Sequence, residues 1–139
     1  LAALRKGMAA KPRKPIDTSA VDLLAFHVKA QRLPTPDREY RFAAMAVGGT
    51  GAGVKERLRK ARLRDWRFDF AWPDQMVALE MDGGGFVGGR HGTGPGIEKD
   101  CEKYSNAAAM GWRLLRVTPR QVKSGQAVDW IGKALEIRS

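Results

Sequence analysis

The sequence predicts a mixed α/β domain in the order α-β-β-β-α-β-α, with a mixed central sheet and flanking helices. Apolar residues recur at helical spacing in three segments, they alternate or cluster in four short segments, and Gly- or Pro-rich breaks separate the two kinds. The length of 139 residues suits one domain. We assign residues 16–139 to this domain and expect residues 1–15, which are basic and contain no acid, to form a flexible arm.

Three segments have the features of helices. Asp17, Thr18 and Ser19 offer N-caps to a helix over 19–31, whose apolar residues recur at positions 21, 24, 25 and 28. A second helix is predicted over 98–110, where Gly111 supplies a C-cap. A third is predicted over 124–137.

Four segments have the features of strands. The alternation of Glu39-Tyr40-Arg41-Phe42 marks the start of the first strand. In 66–71 the side chains of Trp66, Phe68 and Phe70 are expected on one side, and 76–82 alternates in the same way. The turn residues of 72–75 join these two strands into a predicted hairpin. The last strand is predicted over 112–117.

Two segments lack a clear periodic pattern. Gly83 to Gly96 holds half of the chain's glycines, which predicts a long mobile loop without regular structure. Lys55 to Arg64 is rich in cations, and we expect an exposed basic loop or ribbon there, in which a helical turn is one option. Both segments are candidates for contact with a ligand because long or strongly charged loops are often functional.

The charge balance limits the classes of partner. Lys and Arg number 25 against 15 Asp and Glu, giving a formal net charge of +10 and a pI near 10.3. Such a chain favours a polyanion, either nucleic acid or an anionic membrane surface. No apolar run is long enough to span a bilayer, and the basic segments lack the apolar helix face that surface binders need. Cys101 is the only cysteine, so an internal disulfide is excluded and a reducing cytoplasm is the simplest compartment.

Three carboxylates interrupt the apolar hairpin. Asp69 lies between two phenylalanines, and Glu80 and Asp82 share one face of the following strand. A buried carboxylate is costly unless a cation compensates it. Each acid could pair with an arginine on its own or a neighbouring strand. Convergence of all three would instead favour Mg²⁺, which prefers hard oxygen ligands.

A basic surface around an acidic, Mg²⁺-binding pocket is typical of a nuclease. The residues of the hairpin and of the segments after it resemble the PD-(D/E)XK, or restriction-endonuclease-like, nucleases. Within that group they are similar to small phage-type Holliday-junction resolvases and to very-short-patch-repair endonucleases. The resemblance covers about 39–118 and rests on RFDFAWP at 67–73, ALEMDGG at 78–84, RH at 90–91, KDCEKYSN at 99–106 and GWRLLR at 111–116.

The resemblance implies roles for individual residues. Asp69 and Glu80 would be the metal-binding acids, with Mg²⁺ as the cofactor and Mn²⁺ as a substitute. Asp82 stands where the family has lysine, so either it adds a carboxylate while a cation reaches in from elsewhere, or the protein is catalytically weak.

Four further residues are candidates for the site. Lys99, Lys103 and His91 could each supply the missing positive charge or assist proton transfer. We favour Lys103, because the preceding glycine-rich loop lets its helix pack over the hairpin. Glu39 is either an additional metal ligand or a partner of a neighbouring arginine.

The sequence hypothesis is therefore a Mg²⁺-dependent endodeoxyribonuclease, which the resemblance makes a resolvase of branched DNA involved in recombination and repair. Such an enzyme would act as a homodimer in the cytoplasm of a bacterial or phage-infected cell. Alternatives are a mismatch-nicking or restriction-type nuclease of the same fold, and a DNA-binding module on a decayed nuclease core. The residues expected to contact DNA backbones are Lys55, Arg57, Arg59, Lys60, Arg62, Arg64, Arg90 and Lys99.

Overall fold

The computed structural model describes residues 18–82 and 94–136, which form an α/β fold around a four-stranded mixed sheet. The strands lie in the order β1-β2-β3-β4; β2 is antiparallel to both β1 and β3, and β4 runs parallel to β3. The elements, in chain order, are α1 (Thr18–Ala30), β1 (Asp37–Tyr40), α2 (Phe42–Ala46), α3 (Val54–Lys60), β2 (Phe68–Trp72), β3 (Val77–Met81), α4 (Gly94–Ala109), β4 (Arg113–Val117), α5 (Pro119–Lys123) and α6 (Gln126–Glu136).

One face of the sheet packs against α1, α5 and α6. Its buried core combines alternate residues of β2 and β3, such as Phe70 and Leu79, with Leu24 of α1 and Ile131 of α6. Helix α5 begins at a capping box in which the Thr118 side chain accepts the Gln121 N–H and the Gln121 side chain accepts the Thr118 N–H. This layer of helices contains none of the candidate site residues and covers the face of the sheet opposite to them.

The opposite face of the sheet packs against α2, α3 and α4. The small residues Ala71 and Ala78 of the hairpin lie in this core with Ala107 of α4, and these small side chains let α4 approach the sheet closely. At the edge of the same core, the Phe42 and Phe68 rings stack with centroids 4.0 Å apart. This is the face on which Asp69 and Glu80 lie.

The predicted hairpin is present. A short 3₁₀ turn, Pro73–Gln75, joins β2 to β3, and the antiparallel register pairs Phe70 with Leu79 and Trp72 with Val77. Proline presets the backbone angle of the turn, as the sequence suggested. The predicted helices over 19–31 and 98–110 and the strand over 112–117 are also confirmed, with small differences at their ends.

Four details of the predicted fold are wrong. Three short helices, α2, α3 and α5, were not in the predicted order; α3 lies in the segment expected to be a basic loop or ribbon, for which a helical turn was one option. The first strand lies at 37–40 and ends before Phe42, which begins α2. Residues 94–96 belong to α4 and not to the glycine-rich loop; the remainder of that loop, like the basic arm at 1–15, lies outside the described residues.

The fourth error concerns Phe68 and Phe70, which were expected on the same side. Phe68 packs with the α2 cluster and Phe70 with the α1 cluster. The paired residues Arg38–Phe70 and Tyr40–Phe68 bracket Glu39, which has a left-handed backbone with φ of 50°. The alternation of side chains along β2 is thus interrupted between Phe68 and Phe70, beside an irregular residue of the paired strand.

None of the helices in 18–82 and 94–136 has both the length and the apolar composition needed to cross a lipid bilayer.

Candidate active site

The hairpin strands separate at the position of the candidate acids. The β2–β3 pairing ends at Phe70 and Leu79, although β3 continues to Met81. Extending the register by one residue sets Asp69 opposite Glu80. Asp69 Oδ2 accepts the Met81 backbone N–H at 2.6 Å. A carboxylate thus satisfies a strand N–H just beyond the backbone pairing, and this contact fixes the direction of the Asp69 side chain.

The Glu80 carboxyl lies between Asp69 and Lys103. Its side chain is only 12% exposed and forms an ion pair with Lys103 Nζ. Burial raises the pKa of Glu80 to about 7; the Lys103 ammonium opposes that rise, and the neighbouring Asp69 carboxyl adds to it. A side-chain hydrogen bond with Asp69 also contributes to the raised pKa of Glu80. The structure therefore holds two carboxyl groups side by side under one lysine.

Helix α4 brings Lys103 to the sheet. Ala107, one turn after Lys103, is buried in the core beneath α4, so the face that includes both residues is turned toward β3. Lys99 belongs to the preceding turn and is exposed. Of these two lysine candidates, Lys103 reaches the acids.

Asp82 has a different partner. Although it follows Glu80 with the expected parity, its carboxylate contacts Arg116 Nη2, with Oδ1 at 3.2 Å and Oδ2 at 3.3 Å. Arg116 also lies over the Tyr104 ring, with its guanidinium carbon 4.6 Å from the centroid. Burial and the Glu80 charge raise the pKa of Tyr104 to about 12. The predicted cluster of three acids is thus divided into the Asp69–Glu80–Lys103 group and the Asp82–Arg116–Tyr104 group.

Tyr104 and Arg116 were not among the candidates drawn from the sequence. The parallel register of β3 and β4 pairs Glu80 with Arg116, and Tyr104 is next to Lys103 on α4. Strand alternation would have placed Arg116 on the acidic face if the pairing of β4 with β3 had been known.

Glu39 lies on the outer strand β1, next to the strand β2 that carries Asp69. The β1–β2 register brackets it opposite Asp69, but its side chain is exposed. The neighbouring arginines have other partners, since Arg41 pairs with Asp65 at 2.7 Å and Arg38 with Asp22 at 3.8 Å. Among the described residues, no three or more His, Cys, Asp or Glu side chains are gathered closely enough to hold a metal ion by themselves.

The basic segment does not present all of its cations to solvent in the same way. Arg57 donates hydrogen bonds to the backbone carbonyls of Ala52 and Gly49, at 2.8 and 3.0 Å, so its guanidinium holds the preceding glycine loop. Two others form ion pairs at the surface: Arg59 with Glu56 and Arg64 with Glu102. In the described part of the chain, the exposed cations of this segment without such a contact are Lys55, Lys60 and Arg62.

His91 and Arg90 lie outside the described residues. A groove of about 600 Å³, lined by residues such as Gln31, Val128 and Lys133, is formed mainly by α6 and the segment that follows α1, and it contains none of the candidate residues. The candidate site is therefore defined by its polar contacts and not by the shape of this groove.

Comparisons with protein-family models, curated proteins and solved structures found no match to the chain.

Proposed function

We propose that the protein is a Mg²⁺-dependent endodeoxyribonuclease with a restriction-endonuclease-like core, in which Asp69 and Glu80 bind the metal. The observation that carries this proposal is the side-by-side placement of the two carboxyls beneath Lys103. Carboxylates in such an environment repel each other when both are ionised, and a divalent cation relieves that repulsion.

The donor set fits Mg²⁺. This ion keeps several water ligands and needs only one or two protein carboxylates, so the absence of a third gathered acid among the described residues does not exclude it. Asp69 is fixed by the Met81 N–H, and Glu80 is fixed by Lys103. When bound, Mg²⁺ would polarise a phosphate oxygen and lower the pKa of a bound water.

The protein's own residues would supply the remaining chemistry. In hydrolysis the oxygen of a water molecule bonds to phosphorus, the bond from phosphorus to the leaving sugar oxygen breaks, and that oxygen takes up a proton. The Lys103 ammonium, next to Glu80, would stabilise negative charge on the phosphate or hold the attacking water. It would thus fill the role that the family gives to the lysine absent from position 82.

The cationic surface would bind the DNA backbone. A net charge of +10 favours nonspecific attraction to phosphates, and Lys55, Lys60 and Arg62 are the exposed cations of the α3 segment best placed to provide it. Phosphate contacts read DNA shape more than sequence. This favours a structure-selective enzyme, such as a resolvase of branched DNA acting as a homodimer, over a sequence-specific one.

A direct test is cleavage of labelled four-way junctions, flaps, mismatched duplexes and plain duplexes in Mg²⁺, in Mn²⁺ and in EDTA. Wild-type protein should cut at least one substrate when either metal is present. Asp69→Asn should remove cleavage and keep DNA binding. Asp74→Asn is the matched control, because Asp74 is an exposed acid at the opposite end of the same hairpin. Equal loss of cleavage in both variants would contradict the assigned role of Asp69.

One observation favours a second candidate function. Asp82 occupies the position of the family's lysine and is tied to Arg116, which is compatible with a DNA-binding module that has lost catalysis. Wild-type protein that binds DNA and cuts none of these substrates with either metal would establish this alternative and overturn the nuclease proposal.

A further inference from the structure

Arg116 lies at the open side of the candidate site and is not used in the proposed chemistry. Its strand neighbour in the β3–β4 register is Glu80, yet Glu80 pairs with Lys103 and Arg116 pairs with Asp82. The Arg116 side chain is 41% exposed and that of Lys103 is 20% exposed. Both cations lie over the Tyr104 ring, but Lys103 is the more buried of the two and pairs with Glu80, whereas Arg116 is more exposed and pairs with Asp82.

The contact between Arg116 and Asp82 does not use the forked geometry of the guanidinium. Both hydrogen bonds to Asp82 leave from Nη2, at 3.2 and 3.3 Å, so Asp82 is held by one nitrogen of the guanidinium, and the Asp100 carboxylate is a second negative charge near Arg116. Two parallel bonds from two nitrogens are the stronger arrangement for a guanidinium with a carboxylate or a phosphate. An exposed ion pair of this kind contributes little to stability, so a competing anion can replace Asp82 at small cost.

Tyr104 fixes the orientation of the guanidinium. The Arg116 guanidinium carbon lies 4.6 Å from the centre of the Tyr104 ring, a distance at which the ring face attracts a cation. The ring belongs to α4, which also carries Lys103. The guanidinium therefore has a second contact that does not depend on Asp82.

We propose that Arg116 is a phosphate-binding residue of this site, which exchanges Asp82 for a backbone phosphate of the bound DNA. The proposal rests on the proposed nuclease function, because that function brings a DNA strand to Asp69 and Glu80. Asp82 takes the place of the phosphate in the free protein, and Tyr104 holds the guanidinium plane. This role also gives a reason for an acid at position 82: it keeps Arg116 away from Glu80 until DNA arrives.

The exchange predicts opposite effects of the two partners on DNA affinity. Affinity for a labelled duplex is measured by fluorescence anisotropy in EDTA over a range of salt concentrations. Arg116→Ala should weaken binding by about tenfold at low salt and reduce the salt slope by about one unit. Asp82→Asn should tighten binding, because it removes the competing anion. Arg120→Ala is the matched control for loss of one arginine, since Arg120 is exposed on α5 behind the sheet.

The double variant separates exchange from general electrostatics. If Asp82 acts by occupying Arg116, then Asp82→Asn should have no effect on affinity in the Arg116→Ala background. Equal tightening in both backgrounds would show that Asp82 merely repels DNA, and this would overturn the proposal. Arg116→Ala binding as well as Arg120→Ala would also overturn it.

Two further measurements keep the outcomes distinct. Circular dichroism verifies that each variant is folded. Arg116→Lys keeps the positive charge but loses the paired N–H donors of the guanidinium, so it should retain the salt slope while binding DNA less tightly than wild type. Asp69→Asn should abolish cleavage and leave the coupling between Asp82 and Arg116 unchanged. Absence of cleavage in the wild type would reject the nuclease function alone, whereas absence of coupling would reject the phosphate site alone.

Discussion

Glu80 should make the stability of the protein depend on pH in the opposite direction to an ordinary surface carboxylate. Burial raises its pKa from 4.5 to about 7, against the attraction of Lys103. Between these values the folded protein carries a proton on Glu80 that the unfolded chain does not. The stabilisation associated with this proton is complete below about pH 4.5 and is lost as the pH rises through about 7.

The magnitude follows from the shift. One pKa unit corresponds to about 1.4 kcal/mol, so the rise at Glu80 corresponds to about 3 kcal/mol of stability lost across this range. Glu80→Gln resembles the protonated side chain and does not titrate. The free energy of unfolding of the variant, minus that of the wild type, should therefore increase by about 3 kcal/mol between about pH 4 and about pH 8.

Urea denaturation of both proteins at a series of pH values measures this difference. Its change with pH is more informative than its absolute value, because the variant also leaves Lys103 without its ionic partner. Glu56→Gln, at an exposed carboxylate on α3, controls for loss of one acidic group. A difference between Glu80→Gln and wild type that stays constant within about 1 kcal/mol over the whole range would refute the account of a buried, protonated Glu80.

Three other predictions address the metal, the backbone and the core. Mn²⁺ should raise the melting temperature of the wild type, because a ligand that binds only the folded state stabilises it, and should leave that of Asp69→Asn unchanged in calorimetry. Arg62→Gly should raise the free energy of unfolding by up to about 1 kcal/mol in urea titrations, since Arg62 has a left-handed φ of 59°; an unchanged transition midpoint would contradict this. Phe68→Ala should lower the free energy of unfolding by about 3–5 kcal/mol, because the ring is fully buried and stacked on Phe42, and a loss below about 1 kcal/mol would show that the core closes around the gap.

The hairpin and its acids could be predicted from the sequence because both depend on local patterns. Because side chains alternate along a strand, Glu80 and Asp82 were expected on the same side of the chain. The turn residues at 73–75 indicated which two strands pair. The pairing in turn places Asp69 next to Glu80. The choice of Lys103 over Lys99 followed from the expectation that α4 packs over the hairpin.

The remaining features depend on contacts between distant parts of the chain. Helix α2 has only five residues and is stabilised by burial of Phe42 and the two alanines after it, so it shows no helical period long enough to detect. The partner of Asp82 is decided by the parallel alignment of β4 with β3, which brings Arg116 from 34 positions away. No pattern within either strand specifies that alignment.

The left-handed backbone of Glu39 also affects how the molecule meets copies of itself. Strand β1 forms one border of the sheet, and such borders offer unpaired peptide groups to which another chain can add. At Glu39 the row of peptide groups is broken in the middle of a strand of only four residues. An incoming strand would find no continuous ladder there and would meet exposed charges instead, so β1 is a poor template for intermolecular pairing.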